Sequence, residues 1–437
     1  MLYAWFRQRP SSGAAARPVW ARFARTIGLL LLAVVHSSAG AAVYYLDAAN
    51  GNDGNPGTSS APWKTLARAY TWYSGDGPTV QEGDTVFLRT GEYGQFIEST
   101  NVNPGERYLI YRDDWVTYRA DTGHRPVLTK ITIQNLDKWE PLENGRSYLH
   151  FESLRITDGV AISSTSYVRL VNCEVTRTQE PYQGPYAPYV RPGYPGVGVG
   201  GSSSVTIQGN NIHNSYRGIS VGGVSDVNIV GNYIHRIGED GMSVSGTDLT
   251  ITGNHITDIC QYRTTMDVYG HKTGDFTQGE TVTLQGTAAT GTVYRYHNNY
   301  LQVWQTGETA LRSEWKEGRG STLVGQTSGA TVSVTGMDPA HTDGIQIMPG
   351  SRDVVFARNQ IVRNSGGGLD GQGLKMDDPV NILIENNLVD SAVPLLMEGA
   401  LQCRFLNNTF LGGKGDLNTT YAPIEITQMF NLSLIHI

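Results

Sequence analysis

The sequence predicts an all-β solenoid, a rod of stacked coils, on three observations: a recurring six-residue phrase, the spacing of its copies, and a near absence of helix-forming pattern after the first hundred residues. The phrase is a short β-branched run, then a small residue, Asn, any residue and an aliphatic one. It stands at Ile207 to Ile212, Ile229 to Ile234, Ile251 to Ile256, Phe356 to Ile361, Ile384 to Val389 and Phe405 to Phe410. The aligned Asn210, Asn232, Asn254, Asn359, Asn387 and Asn408 mostly fall 21 to 28 residues apart, the range at which stacked-coil architectures repeat. No copy can bury its apolar face alone, so copies must stack, with identical residues in ladders about 4.8 Å apart. Asn suits the turn because it tolerates the left-handed conformation and bonds neighbouring backbone. A loose β-sandwich has no reason to repeat one phrase in register.

The first element differs from all that follows. Arg7, Arg9, Arg17, Arg22 and Arg25 stand without any acid before the apolar run Ile27 to Val35 and the small residues Ser37, Ala39 and Ala41. Residues 1–41 therefore read as a secretory signal peptide cleaved near Ala39 or Ala41, with a run too short to span a bilayer comfortably. Removing its five arginines takes the formal net charge from −7 to −12. An acidic exported chain is a poor nucleic-acid binder, and no membrane span is expected after cleavage. Cys173, Cys260 and Cys403 sit on or beside the repeats, Cys173 where other coils have Asn; an odd count gives no disulfide framework, and core thiols are expected.

Residues 42–125 contain Y-Y-L-D-A-A-N-G-N-D-G-N-P-G-T from Tyr44, A-P-W-K-T-L-A-R-A from Ala61 and E-G-D-T-V-F-L-R-T-G-E-Y from Glu82. With the Asn coils, this stretch resembles the amino-terminal cap of secreted bacterial right-handed parallel β-helix proteins, a group that includes pectate, alginate and chondroitin lyases. The resemblance implies a right-handed parallel β-helix, extracellular polysaccharide as partner, and a short helix near Thr65 to Trp72 covering the first coil's open edges. It is specific for fold and weak for reaction.

The coils are expected over 126–269, beginning near Leu128. A Tyr- and Pro-rich loop from Glu180 to Gly196 interrupts them, and its Tyr182, Tyr186, Tyr189 and Arg191 are candidate sugar-binding residues, by stacking or by packing on the coils. Residues 270–336 break the register with two related halves, from Gly274 and Ser321, and resemble a small β-module inserted in phage and bacterial surface proteins. The ends of such an insert must lie close together. Trp304 and Trp315 are open to packing or to glycan binding. Coils resume over 337–431. Residues 432–437, L-S-L-I-H-I, look like a translated transposon sequencing adapter and are expected to be a non-native tail.

Chemistry points to a second phrase: R-G-I-S-V from Arg217, D-G-M-S-V from Asp240, D-G-I-Q-I from Asp343 and Q-G-L-K-M from Gln372. Aligned on Gly, it places Arg217, Asp240, Asp343 and Gln372 in one column, and Ser220, Ser243, Gln346 and Lys375 in another. Two stacked carboxylates repel unless a proton or cation is shared. Calcium on Asp240 and Asp343, with Glu239 as a third oxygen source, would resolve this; each Asp bonding backbone at a turn is the simpler alternative. H-T-D-G-I-Q-I is similar to motifs of polygalacturonases and of calcium-dependent pectate lyases with a lysine base. The later G-H-G and R-I-K motifs of the former and the D-D-G-W signature of the latter are absent. The expected function is β-elimination on a uronate-containing glycan, with calcium neutralising the carboxylate, Lys375 as base, His341 or Tyr167 as proton donor, and Arg217 and Gln346 binding substrate. A non-catalytic glycan-binding or adhesin-type surface protein is the alternative, and a glycoside hydrolase the third.

Overall fold

A computed structural model describes residues 40–69, 80–99, 110–135, 145–177, 195–259, 265–297, 300–304, 311–315, 321–339, 343–362, 372–391, 393–411, 424–427 and 433–435. Over these the chain winds through three columns of parallel strands, returning to each column once per coil. The first column runs from Gln95–Ser99 to Ile424–Thr427, the second from Val43–Leu46 to Ser433–Ile435, and the third from Gly91–Glu92 to Thr409–Leu411. Parallel stacking starts earlier than the phrase implied. Val43–Leu46 already pairs with Thr85–Leu88, before the expected start near Leu128. At the other end, Ser433–Ile435, inside the expected foreign tail, pairs with Arg404–Leu406 and continues the second column.

Period-two alternation fills the interior. In Arg217–Val230, which serves two columns in one run, Ile219, Val221, Val227 and Ile229 are buried while Ser220 and Asn228 face outward. Near the amino-terminal end a 3₁₀ turn, Leu66–Ala69, buries Leu66 and Ala69, and Tyr118 donates its hydroxyl to the Ala69 carbonyl at 2.8 Å. The expected helix reaches further, to Trp72, which lies outside the described residues.

The repeated Asn residues occupy the turn between the second and third columns, and their amides form a continuous chain. Asn210 Nδ2 donates to Asn232 Oδ1 at 2.9 Å, Asn232 to Asn254 at 2.9 Å, Asn254 to Asn359 at 2.9 Å, Asn359 to Asn387 at 3.2 Å, and Asn387 to Asn408 at 2.9 Å. Each backbone N–H also donates to the next Oδ1, as Asn232 does to Asn254 at 2.9 Å. Each Nδ2 reaches back to a carbonyl of the previous coil, as Asn232 does to Ile207 at 2.9 Å. Every amide is thereby satisfied inside the core. The left-handed residue is the one before the ladder Asn: Gly209, Gly231 and Gly253, then Arg358, Asn386 and Asn407. The ladder Asn is used for its amide and not, as expected, for tolerance of positive φ. Cys173 is the same position one coil earlier. Its N–H donates to Asn210 Oδ1 at 2.8 Å, and its thiol takes the place of Nδ2, 3.8 Å from the Phe151 carbonyl. Burial pushes that thiol up to about 12. Cys173 and Cys403 are buried and free; Cys260 lies outside the described residues.

Residues 265–339 form a closed six-stranded barrel of Thr265–Thr273, Thr281–Leu284, Thr290–His297, Tyr300–Trp304, Ser321–Gly325 and Thr331–Pro339. It is slightly wider than the expected 270–336 because its flanks pair with each other, Met266 opposite Pro339. The barrel has its own core, which buries Val268, Leu301, Leu323 and Trp315. Trp315 is thus a packing residue.

Asn232→Ala strands partners on both neighbouring coils and should cost roughly 3 kcal/mol, whereas Cys173→Asn adds a rung and should raise the urea midpoint. Replacing 265–339 by a short linker should leave the coils unfolding cooperatively; a broad, multiphasic transition would show the barrel to be part of the main core.

Candidate active site on the first column

Several long connections join the third column to the first, while residues 100–115 and 135–144 join the first column to the second. The connections 177–194, 257–342, 362–371 and 412–423 all join a third-column strand to a first-column strand. The D-G phrase sits at the corner between the third and first columns. Its glycines let the chain turn tightly: a Cβ on Gly241 would lie 2.5 Å from the Gly344 carbonyl oxygen, and one on Gly344 2.4 Å from Ile361 of the third column. That close approach draws the residue preceding each Gly into the wall of the rod.

Asp240 and Asp343 are consequently buried, at 3 % and 0 % exposure. They are linked by the Asp343 N–H, which donates to Asp240 Oδ1 at 3.0 Å. The turn bond of the simpler alternative is therefore present at Asp240. Burial, then the proximity of Glu239, pushes Asp240 up to about 7. Burial, then Asp240, pushes Asp343 up to about 8. Arg217 and Lys375 act in the opposite direction on Asp240, as Lys375 does on Asp343. The pair titrates as a unit and holds protons near neutrality.

Glu239 beside this pair has partners of its own. It forms a close ion pair with Arg217 and a hydrogen bond with Tyr216, while Arg217 Nε lies 3.4 Å from Asp240 Oδ2. Burial and Glu239 raise the Tyr216 hydroxyl pKa. Among the described residues no group of three or more His, Cys, Asp and Glu is arranged to hold a metal.

The outward face of the column carries the rest of the site, with Ser243 buried at 9 % exposure and its neighbours half-buried. Ser220, Ser243, Gln346 and Lys375 occupy successive rungs in register. Lys375 Nζ lies 3.4 Å from Asp377 Oδ2, and Gln346 Nε2 donates to the same oxygen at 3.4 Å. Leu374 and Met376, on either side of Lys375, point into the core at 0 % exposure, because adjacent strand residues face opposite sides. Asp377 stands beside the amine instead. It was legible as the i+2 neighbour of Lys375 on one strand face; Tyr216 carried no sequence signal beyond its position before Arg217. Tyr167 stacks on Tyr148 in the second column. His341, Tyr182, Tyr186, Tyr189 and Arg191 lie outside the described residues.

The family described as a right-handed beta helix region matches residues 142–270, in accord with the right-handed crossover required of parallel strands; the fold is a right-handed parallel β-helix carrying a small closed barrel. No curated protein matches the sequence. Among solved structures, the chain is similar to a GH136 lacto-N-biosidase from Eubacterium ramulus, at 12% identity over 89% of this chain and 68% of that one, with a TM-score of 0.45. It is similar also to a pectate lyase, at 13% identity over 91% and 78%, TM-score 0.39. A third is the A-module of a mannuronan C-5 epimerase from Azotobacter vinelandii, at 10% identity over 80% and 91%, TM-score 0.36.

Raised carboxyl pKa values mean that the folded chain binds more protons than the unfolded one between the ordinary carboxylate range and about pH 8. Stability should be full below that range and fall as pH rises through it. Asp343→Asn should flatten this slope in urea midpoints measured against pH, and an unchanged slope would place the proton elsewhere.

Proposed function

We propose that the protein acts on an extracellular uronate-containing polysaccharide laid along the outer face of the first column, as a lyase that cleaves by β-elimination. The observation that carries this reading is the outward series Ser220, Ser243, Gln346 and Lys375, one polar residue per coil at the corner flanked by several long connections. A polymer lying across the coils would meet one such residue about every 4.8 Å. Lys375 would take the proton at C5 as the C4–O bond breaks and a C4–C5 double bond forms, with the departing oxygen taking up a proton from water. Arg217 stands three coils away, roughly 14 Å, so it would hold the carboxylate of a neighbouring sugar and not that of the reacting one. Calcium would supply neutralisation at the reacting carboxylate, and it belongs to this proposal as a bound cofactor.

A second reading, glycan binding without chemistry, draws on the complete burial of Asp343, which does not face the outer surface. The two separate in one assay. With polygalacturonate or alginate, the lyase reading expects ultraviolet-absorbing unsaturated product, lost by at least a thousandfold in Lys375→Ala while binding persists, because a base acts in the transition state. Binding without product from any uronate polymer would select the second reading. Calorimetric titration of calcium into wild type and Asp343→Asn tests the metal: the proposal expects heat in the former and less in the latter, and no heat in either removes calcium from it.

A further inference from the structure

A cluster that the first column does not use lies on the outer face of the second column, near its amino-terminal end. Strand Gly145–Glu152 turns Arg146, Tyr148 and His150 outward by alternation, and the adjoining strand Thr165–Val171 turns Tyr167 and Arg169 outward beside them. The Tyr148 and Tyr167 rings stack with centroids 4.2 Å apart. Trp115 meets Tyr148 edge-on at 5.2 Å and carries the Arg169 guanidinium over its ring, 3.9 Å from the centroid. Arg146 lies over Tyr111 at 5.6 Å.

The charges of this cluster are left open to a ligand. Arg169 is exposed, and among the described residues no carboxylate lies within ion-pair distance of it. Arg146 pairs with Asp113 at 2.8 Å, but the Asp113 side chain is 78% exposed, and an ion pair so open to water holds its partner weakly. Burial keeps His150 below its ordinary pKa, so positive charge here comes from the arginines.

We propose that this cluster is a second, non-catalytic binding site for a carboxylated sugar polymer, with Arg169 and Arg146 each receiving a uronate carboxylate and the Tyr148 and Tyr167 hydroxyls meeting sugar hydroxyls. The proposal rests on the reading of the protein as acting on uronate polysaccharide, and extends it to a surface outside the first column. A guanidinium stacked on an indole keeps its in-plane N–H fork free for a bidentate carboxylate, while the stack fixes its direction. Arg169 is in register with His150, four residues along the strand from Arg146. Four extended residues span at most roughly 13 Å, and Tyr148, left-handed between them, shortens the path. Two guanidinium groups so placed suit an oligomer with carboxylates along its length.

The test uses the full chain carrying Lys375→Ala, so that no cleavage consumes the ligand, with polygalacturonate, alginate and neutral dextran as probes in affinity electrophoresis. We expect retention by at least one uronate polymer and none by dextran. Adding Arg146→Ala and Arg169→Ala together should weaken that retention at least tenfold with an unchanged urea midpoint, and Arg169→Lys alone should weaken it too, since lysine keeps the charge but loses the fork. Unchanged retention in the double variant, an equal loss toward dextran, or no retention by either uronate polymer overturns the proposal. Failure of the lyase reading looks different: no unsaturated product from the Lys375 protein, with arginine-dependent retention intact.

Discussion

The chain of buried Asn amides is the interaction on which the rest of this rod depends. Strand pairing alone would let neighbouring coils slide, because the outer faces are polar and the inner ones are mostly Val, Ile and Leu. A one-residue slip would reverse every side chain. The amides prevent it, since each rung must meet the next at hydrogen-bond distance or leave buried polar groups unpaired. Register in all three columns follows from that one turn, and so does the placement of any outward residue relative to those on the coils above and below.

The proposed active site lies where the ladder is not. The turn that carries Asn is two residues long and tolerates no insertion, whereas the corner between the third and first columns accepts anything from a single residue to an entire barrel. Close approach at Gly218, Gly241, Gly344 and Gly373 seals the core at that corner, so what protrudes beyond it does not disturb the packing within. The acids preceding two of these glycines are drawn inward by the same approach, which explains why a sequence that reads as a stacked carboxylate site produces a buried, proton-holding pair.

Sequence made the fold legible because the Asn phrase is periodic and its period has a physical cause. It also placed Ser243, Gln346 and Lys375 in one outward row, since alignment on glycine is alignment by coil. What it could not convey was depth. Asp240 and Lys375 look equally available in the phrase, yet one lies in the wall and the other on the surface, a difference set by the bend at the glycine. Nor did it show the choice made by Glu239, whose partners Tyr216 and Arg217 belong to the previous coil. The Trp115 cluster was invisible for a related reason: its members come from three segments whose adjacency exists only once the second column has formed.

The amide chain also has a direction. Each Asn offers both its backbone N–H and one Nδ2 hydrogen to the coil that follows it, while its remaining Nδ2 hydrogen is already satisfied by the coil before. At the amino-terminal end the arrangement closes quietly, with Cys173 contributing only a backbone donor. A coil just completed therefore presents two unanswered donors on its leading side and none behind. That asymmetry gives a partly formed rod one end that draws in a further coil, which supplies the missing acceptor, and one end that does not.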